Sequence, residues 1–303
     1  MTATLEKPVA VPGKPSLKHR LAERGMDRTV ILVLPALLFV VVLFVYPVLY
    51  GLQLSFQPKE GGGPFANYTK FFSDSYLFDT IWITLRLAVP AALINVLASI
   101  PIAYRMRGRV RGKRFLTTMF VLPITLGTVL TAEGLIRYLD PTGWFNKVLG
   151  LFGADEPARL VHNYTGVLLS LIISGFPFAF LLTLSYLSGI DPTLEQAAAT
   201  LGADWRKRFR YITLPLLAPG LAITFCLTFV LAFSVFPSAY LVGLPQGETR
   251  VMSIAAYEAA FRDFDYPLGS AIAMLMAVVM LLVIGLVLVW RSTLYRGATG
   301  GKG

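Results

Sequence analysis

The sequence predicts an all-α integral membrane protein with six transmembrane helices. Of its 303 residues, 55% are hydrophobic and only 15% are charged, and the mean hydropathy is +0.66. A soluble domain carries about 25% charged residues. The apolar residues form six blocks, each near the roughly 20 residues that a helix needs to cross the hydrocarbon core. Too few polar groups remain to cover a water-exposed surface, which disfavours a soluble globular domain.

Each apolar block is predicted to form one membrane-spanning helix. The blocks are residues 30–50, 80–104, 115–137, 164–188, 216–242 and 267–290. Several contain proline, which breaks soluble helices but is tolerated in membrane helices, where neighbouring groups satisfy the freed carbonyls. The six-helix domain is therefore expected over residues 30–290.

Two polar tails flank this domain. Residues 1–29 are rich in Lys and Arg and have no apolar core of their own, so they do not resemble a cleavable signal peptide. Residues 291–303 form the second tail.

The positions of Lys and Arg predict that both tails are cytoplasmic. With the N-terminus inside, 19 of the 27 Lys and Arg residues fall in inner segments and 6 in outer segments. The basic segment 105–114, RMRGRVRGKR, holds six bases and no acid. Such positively charged segments stay on the cytoplasmic side. We therefore expect a multi-pass protein of the cell membrane whose loop between spans four and five is cytoplasmic.

Several functional classes are disfavoured. The net charge is +10, but the bases cluster at the ends of apolar blocks, so no nucleic-acid partner is expected. The single cysteine, Cys226, lies in an apolar run and cannot build a disulfide framework. The histidines, His19 and His162, fall on opposite sides of the predicted membrane. We therefore predict no metal site. An intramembrane enzyme, a further alternative, would need a paired set of catalytic groups within the spans, and Glu133 with Arg137 is a poor candidate. No catalytic residue is predicted, and the chain is not expected to be an enzyme.

A charged, alanine-rich stretch interrupts the apolar blocks. It reads TLEQAAATLGADWRKRFRYITLPLLAPG and covers residues 193–220. Thr193 is predicted to cap a first short helix, with Gln196 three residues later as in a capping box. Gly202 then allows a close approach or a change of direction.

A second short helix is predicted after this glycine. Trp205, Phe209 and Ile212 share one of its faces at helical spacing. Leu214-Pro215 is expected to end it, before the fifth span begins. Two interpretations remain open on physical grounds: an interfacial helix whose bases meet anionic lipid, and a helix that docks into a cytoplasmic partner.

The same stretch resembles the signature cytoplasmic loop of permease subunits of binding-protein-dependent ABC importers. The family pattern is Glu-Ala-Ala, three residues, Gly, nine residues, Ile, one residue and Leu-Pro. Here Ala197-Ala198 is followed at the required interval by Gly202, and then by Ile212 and Leu214-Pro215. The resemblance extends over the whole chain and implies a type I importer permease fold.

One position departs from the family pattern. Gln196 stands where the family has an acid, and Glu195 supplies an acid one residue earlier. The resemblance implies that the loop over residues 190–215 forms a coupling helix in a groove of the ATP-hydrolysing subunit. The residues expected to make or support this contact are Glu195, Gln196, Ala197, Ala198, Gly202, Trp205, Arg206, Arg208, Ile212, Leu214 and Pro215. For the arginines, contact with lipid headgroups is the alternative.

The resemblance also implies the partners. They are ABC ATPase subunits, a second permease subunit that is expected to be a related chain, and an extracytoplasmic solute-binding protein, all within or against membrane lipid. This chain contains no GxxxxGK[ST] motif. No cofactor is therefore expected on it, and ATP with Mg²⁺ is expected on the ATPase partner.

Three charged residues within or near the spans are candidates for the substrate path: Arg86, Glu133 and Arg137. Ionisable residues in membrane segments are functional candidates by default. Glu133 and Arg137 are four residues apart and can pair on one helix face. The alternative is a pair near the membrane interface with long side chains that reach water.

Substrate identity is predicted from resemblance alone. The segments NYTKFF, IPIAYRM and YPLGSAIAM are most similar to spermidine/putrescine-type permeases, which implies polyamine uptake. An excess of acids in the outer segments is compatible with a cationic solute. Sugar, glycerol-phosphate, phosphonate and iron uptake remain alternatives. An ion-coupled secondary transporter, which needs no ATPase, is the alternative from a different class.

Overall fold

The computed structural model describes residues 28–108, 112–153 and 159–295. Six helices in this part of the chain are long and apolar enough to cross a membrane. The predicted all-α class with six membrane-spanning helices is therefore confirmed. Most of both predicted tails, the centre of the basic segment and His19 lie outside the described residues. The chain divides into two compact units, Met1–Gln53 and Leu54–Gly303.

The first long helix consists of three consecutive parts. They are α1 (Arg28–Val40), a π-helical turn (Val41–Val45) and α2 (Tyr46–Ser55). The π-helical turn ends two residues before Pro47, whose ring nitrogen cannot donate a hydrogen bond. A local change of helical period of this kind is a common accommodation of proline in a long helix.

The second unit holds the other five long helices. Its helices are α3 (Ala66–Ser73), α4 (Ser75–Met106), α5 (Lys113–Leu139), α6 (Trp144–Leu151), α7 (Tyr164–Ser188), α8 (Pro192–Thr200), α9 (Trp205–Arg208), α10 (Leu214–Phe233), α11 (Pro237–Leu241), α12 (Met252–Tyr257) and α13 (Tyr266–Tyr295). Two π-helical turns follow α9 and α12; they are Phe209–Thr213 and Glu258–Arg262.

Helices α4, α7 and α10 form the centre of the second unit. Helix α4 packs along α7, and α10 packs against both. Hydroxyl pairs join neighbouring elements: Ser99 and Thr183 lie 2.8 Å apart, and Ser170 and Ser238 lie 2.9 Å apart. Small polar side chains of this kind hold helices together in a membrane, where apolar burial gives little preference for another helix over lipid.

Helices α5 and α13 are far less buried than the three central helices. Helix α5 is kinked at Gly127, whose φ of 73° lies in the left-handed region that glycine adopts without a steric penalty. These two helices leave apolar surface of the second unit exposed.

The fifth long helix begins earlier than predicted. Helix α9, the π-helical turn Phe209–Thr213 and α10 are continuous from Trp205 to Phe233. The prediction that Leu214-Pro215 ends a separate helix was therefore wrong. The π-helical turn that precedes Pro215 changes the local hydrogen-bond period, so the helix continues past a residue that cannot donate.

The same helix also ends earlier than the predicted block 216–242. It stops at Phe233, and α11 begins separately at Pro237. Proline is favoured at the first position of a helix, where its missing N–H is not needed. A continuous apolar sequence therefore contains a helix boundary that hydropathy does not reveal.

Candidate functional site

Helix α8, the first short helix of the loop between spans four and five, starts earlier than predicted. The Asp191 carboxylate accepts a hydrogen bond of 2.9 Å from the Thr193 backbone N–H, and Pro192 takes the first helical position. The predicted cap at Thr193, with Gln196 completing a capping box, was wrong. Aspartate is a strong N-cap and proline suits the first turn, so Asp191-Pro192 supplies the better start.

Gly202 ends α8 through its backbone conformation. Its φ is +84°. Its N–H donates to the Ala199 carbonyl at 3.0 Å, and the Ala203 N–H donates to the Ala198 carbonyl at 3.0 Å. This is the Schellman pattern, which favours glycine at its left-handed position. Among the described residues, a Cβ atom at this position would meet nothing within 4 Å. The backbone conformation is therefore sufficient to explain the glycine within this chain.

Helix α9 turns the chain back into the fifth span. The Asp204 carboxylate caps it by accepting from the Lys207 backbone N–H at 2.8 Å. The Trp205 side chain is 58% exposed. The Arg206 guanidinium lies 5.6 Å from the centre of this indole ring. A large aromatic surface and a positive charge are therefore presented together at the end of the loop.

Glu195 points into the chain and is only 7% exposed. Its carboxylate accepts hydrogen bonds from Arg107 Nη2 at 2.5 Å, from the Tyr104 hydroxyl at 3.3 Å and from the Thr213 hydroxyl. Tyr104 lies on the last turn of α4, Arg107 directly follows that helix, and Thr213 ends the π-helical turn before α10. One carboxylate of α8 thus bonds to the ends of two central helices.

The surroundings of Glu195 favour its charged form. Burial alone would raise the pKa of its carboxyl group, but hydrogen bonds from Thr213 and Arg107 and the charge of Arg107 outweigh burial and lower this pKa. Arg107 also lies over the Tyr104 ring, 4.7 Å from its centre. We call Glu195, Arg107, Tyr104 and Thr213 the Glu195 cluster.

The opposite side of the loop is exposed. Of the residues predicted to contact or support an ATPase, the structure leaves six exposed: Gln196, Ala197, Gly202, Trp205, Arg206 and Pro215. Four are half-buried: Ala198, Arg208, Ile212 and Leu214. Leu201, which sequence reasoning did not select, is 88% exposed beside them. We call Gln196, Ala197, Leu201, Gly202 and Trp205 the outer loop face; here 'outer' means the exposed side of this loop and not the outer segments of the chain. Contact of this face with a partner stays a prediction.

Sequence reasoning missed three members of the Glu195 cluster. Arg107 contributed only to the charge count of the basic segment, and neither Tyr104 nor Thr213 was selected. Arg107 and Glu195 are 88 positions apart. A run of bases at the end of a span signals orientation but does not identify which base meets an acid, so no local signal pairs these two residues.

The structure does not bring the three substrate-path candidates together. Glu133 and Arg137 are both exposed on α5, and no ion pair joins them among the described residues. Arg86 is exposed on α4 and lines a cavity of about 360 Å³ with Ile83, Tyr164 and Glu248. The predicted Glu133–Arg137 pair is therefore not formed, and the role of these residues stays a prediction.

A second charged cluster joins two segments that were predicted to be outer loops. Arg250 is 5% exposed; its guanidinium donates to the Tyr76 carbonyl at 2.8 Å and to Glu258 at 3.3 Å. Lys70 pairs with Asp265 at 3.6 Å beside it. These residues line a cavity of about 570 Å³. An ion pair and a hydrogen bond within the chain therefore hold these two segments together.

Curated relatives match most of the chain. It is 27% identical over 277 residues to the trehalose/maltose transport system permease protein MalF of Thermococcus litoralis, covering 88% of this chain and 92% of that protein. It is 29% identical over 271 residues to the sn-glycerol-3-phosphate transport system permease protein UgpA of Salmonella typhimurium, covering 86% and 91%. These names agree better with the sugar and glycerol-phosphate alternative than with the spermidine/putrescine resemblance.

Solved structures share the fold. A bacterial ABC transporter that imports the acidic polysaccharide alginate matches 92% of this chain and 98% of its own chain, with a TM-score of 0.76 and 21% identity. The methionine ABC transporter MetNI, in an inward-facing form, matches 74% and 96%, with a TM-score of 0.57 and 15% identity. At these identities the likeness establishes the fold, which is that of type I ABC importer permeases.

The family match covers the described helices and the loop together. Residues 28–295 match the binding-protein-dependent transport system inner membrane component family. This range includes all six long helices, the outer loop face and the Glu195 cluster. The chain therefore belongs to the family of inner membrane permease components of binding-protein-dependent ABC importers.

Proposed function

We propose that this chain is the permease subunit of an ATP-driven importer for a sugar or a glycerol-phosphate. The proposal is supported by relatives named for trehalose, maltose and sn-glycerol-3-phosphate transport, which align along most of both chains. It replaces the polyamine expectation, which depended on three short segments. Similarity over more than 260 residues outweighs similarity in stretches of six to nine.

The observation that carries the proposal is the arrangement of α8 and the residues that follow it. The buried side of α8 carries Glu195, which bonds to the ends of central helices. Gln196 and Ala197 on α8, with Leu201, Gly202 and Trp205 after it, form the exposed outer loop face. A segment that the membrane domain holds firmly and that presents small and aromatic side chains outward is suited to docking. We propose that this face fits into the ATPase subunit.

Transport then follows by alternating access. Closure of the ATPase subunits around ATP brings the docked loops together, and the spans turn so that a central site opens outward to the solute-loaded binding protein. Hydrolysis resets the inward-facing state. In this scheme the chain moves solute and performs no chemistry; ATP and Mg²⁺ belong to the ATPase partner.

The proposed partners are two ABC ATPase subunits, a second permease subunit that is a related chain, and an extracytoplasmic binding protein. A solved alginate transporter with the same fold, at a TM-score of 0.76, is described as a complex with a pentasaccharide-bound periplasmic protein. Leu126 and Leu130 on α5 and Leu281 on α13 are exposed. In the membrane, we propose that lipid or the second permease covers such surfaces.

Reconstitution in lipid nanodiscs tests this function. The chain, its candidate ATPase and its candidate binding protein are assembled, and ATP hydrolysis is measured with the binding protein loaded with trehalose, sn-glycerol-3-phosphate or spermidine. We expect trehalose or sn-glycerol-3-phosphate to stimulate hydrolysis, and Gly202→Asp to abolish ATPase retention or the stimulation. Stimulation by spermidine alone would contradict the substrate class.

A second arm distinguishes the class of transporter. Uptake of radiolabelled trehalose is measured in cells with and without the ATPase subunit. Uptake that persists without the ATPase would support the ion-coupled alternative and contradict the importer role. Loss of uptake is the expected result.

A further inference from the structure

We infer that the Glu195 cluster is a mechanical latch that makes the end of α4 move together with α8 when an ATPase moves the loop. Glu195 and Arg107 are thus positioning residues that transmit motion. This inference rests on the proposed function, because it requires an ATPase that pushes on α8. It assigns a role to Arg107, which has so far been considered only as a positive charge in a cytoplasmic segment.

The Glu195 cluster connects α8 to a helix that is not its neighbour along the chain. Helix α8 is joined through the main chain to α7 on one side and to α9 and α10 on the other, while α4 is distant in sequence. Displacement of α8 can therefore reach α4 only through packing or side-chain contacts. The 2.5 Å contact between Arg107 Nη2 and the Glu195 carboxylate supplies such a contact across 88 positions.

The contact between Glu195 and Arg107 is stronger than an ion pair on the surface. Exposed ion pairs contribute little, because water screens them and the side chains remain mobile. Here the Glu195 and Arg107 side chains are 9% and 18% exposed. The contact is also charge-assisted, which makes it stronger than a hydrogen bond between neutral groups. Removing either partner would leave a charge in a poorly solvated place.

Further contacts connect α8 and the end of α4 to the π-helical turn that precedes α10. The Glu195 carboxylate also accepts from the Thr213 hydroxyl, at the end of the π-helical turn that precedes α10. Independently, the Tyr104 ring packs edge-on against Phe209 of the same π-helical turn, with ring centres 5.1 Å apart. The end of α4 is thus held to α8 and to the start of α10 by separate contacts. Because α4 and α10 are both central helices, motion of this group reaches the core directly.

The other acids of the loop differ from Glu195. Asp191 and Asp204 are exposed and cap helix starts through backbone N–H groups. Among the residues that the structure describes, they bond within their own turn and bridge no second element. The bridging role is therefore specific to the buried acid, and Asp191→Asn is a matched control because asparagine caps a helix about as well as aspartate.

A double-mutant cycle in the reconstituted complex tests the latch. The variants are Glu195→Gln, Arg107→Gln and the double variant, with Asp191→Asn and Arg105→Gln as charge-removal controls; Arg105 is exposed two positions before Arg107. Three quantities are measured: ATPase retention in a pull-down, basal ATP hydrolysis, and hydrolysis stimulated by trehalose-loaded binding protein.

Each single variant is expected to retain the ATPase and its basal hydrolysis but to lose stimulated hydrolysis by about tenfold, the ratio that corresponds to loss of one charge-assisted contact. The double variant is expected to lose no more than either single variant, because both act on one contact. The two controls are expected to behave as wild type. This pattern cannot arise from general misfolding, which would lower retention and basal hydrolysis as well.

Two outcomes overturn the latch. Stimulated hydrolysis at the wild-type level in Glu195→Gln would show that the contact transmits nothing. Equal loss of retention, basal and stimulated hydrolysis would show a purely structural role. Failure of the wild-type chain to bind any ATPase would instead contradict the proposed function, and the latch with it.

Discussion

Glu195 and Gln196 are adjacent in sequence but differ completely in environment. Successive residues of an α-helix are about 100° apart around its axis, so one side chain can be buried while the next is exposed. Here Glu195 bonds to Arg107, and Gln196 faces outward. Gln196 occupies the position of the family acid, so we expect the polar contact with an ATPase to come from Gln196. Glu195 instead forms hydrogen bonds within the chain.

Gly202 allows a prediction at the same scale. Gly202→Ala is expected to lower the free energy of unfolding by about 1–2 kcal/mol, because a residue with a Cβ atom is strained at positive φ. The cost is expected to come from the backbone, since no atom of the part of the chain that the structure describes lies within 4 Å of the added Cβ atom. Thermal unfolding in detergent measures it.

The Gly202→Asn variant is the control for this prediction. Asparagine tolerates the left-handed conformation better than alanine, so it should be the milder change for stability although it is larger. If asparagine destabilised the chain more than alanine, side-chain size rather than backbone conformation would determine the residue at this position.

At the scale of helices, hydropathy located the spans well and their ends less well. The block 164–188 coincides with α7, whose start is capped by the Asn163 side chain. The fifth block was misplaced at both ends, because Pro215 lies within a continuous helix and Pro237 begins a new one. A proline marks either a helix start or an interior irregularity, and the neighbouring hydrogen bonds decide which.

Gly175 of α7 lies where this helix packs closely against α4. A methyl group added at Gly175 would collide with the Asn95 amide, which is 1% exposed and donates to the Leu171 carbonyl at 3.3 Å. Gly175→Ala is therefore expected to lower the free energy of unfolding by about 1–3 kcal/mol. Thermal unfolding in detergent again provides the measurement.

Gly285 on α13 is the matched control. It also lies within a long helix, but within the described ranges a Cβ atom there meets nothing closer than 4 Å. Gly285→Ala should be neutral or slightly stabilising, because alanine has the higher helix propensity. Equal effects of the two substitutions would contradict the close α4–α7 contact as the reason for Gly175.

At the scale of the whole molecule, the bias of Lys and Arg predicts which ends of the helices are cytoplasmic. By this prediction, the Glu195 cluster and the charged cluster of Arg250, Glu258, Lys70 and Asp265 lie on opposite sides of the membrane. The first tethers the loop proposed to meet the ATPase, and the second connects segments that are predicted to lie outside. This separation suits a protein that links an inner motor to an outer solute donor.

Cysteine accessibility tests this orientation. In a Cys226→Ala background, Ser73→Cys is expected to react with a membrane-impermeant maleimide in intact cells, because positively charged segments remain inside and residue 73 lies on the opposite side. Gly108→Cys, in the basic segment, is expected to react only after permeabilisation. Both native positions are exposed. The reverse pattern of labelling would invert the predicted topology.

The membrane class, the number of spans and the place of the loop along the chain could all be predicted from the amino-acid sequence. These depend on local properties: runs of apolar residues, the excess of bases in the predicted inner segments, and the interval from Ala197-Ala198 to Gly202. The burial of Glu195 against Arg107, and the lack of an ion pair between Glu133 and Arg137, became evident only from the packed helices. Such contacts depend on how distant helices pack and on how each side chain rotates about its helix, and neither is set by spacing along the chain.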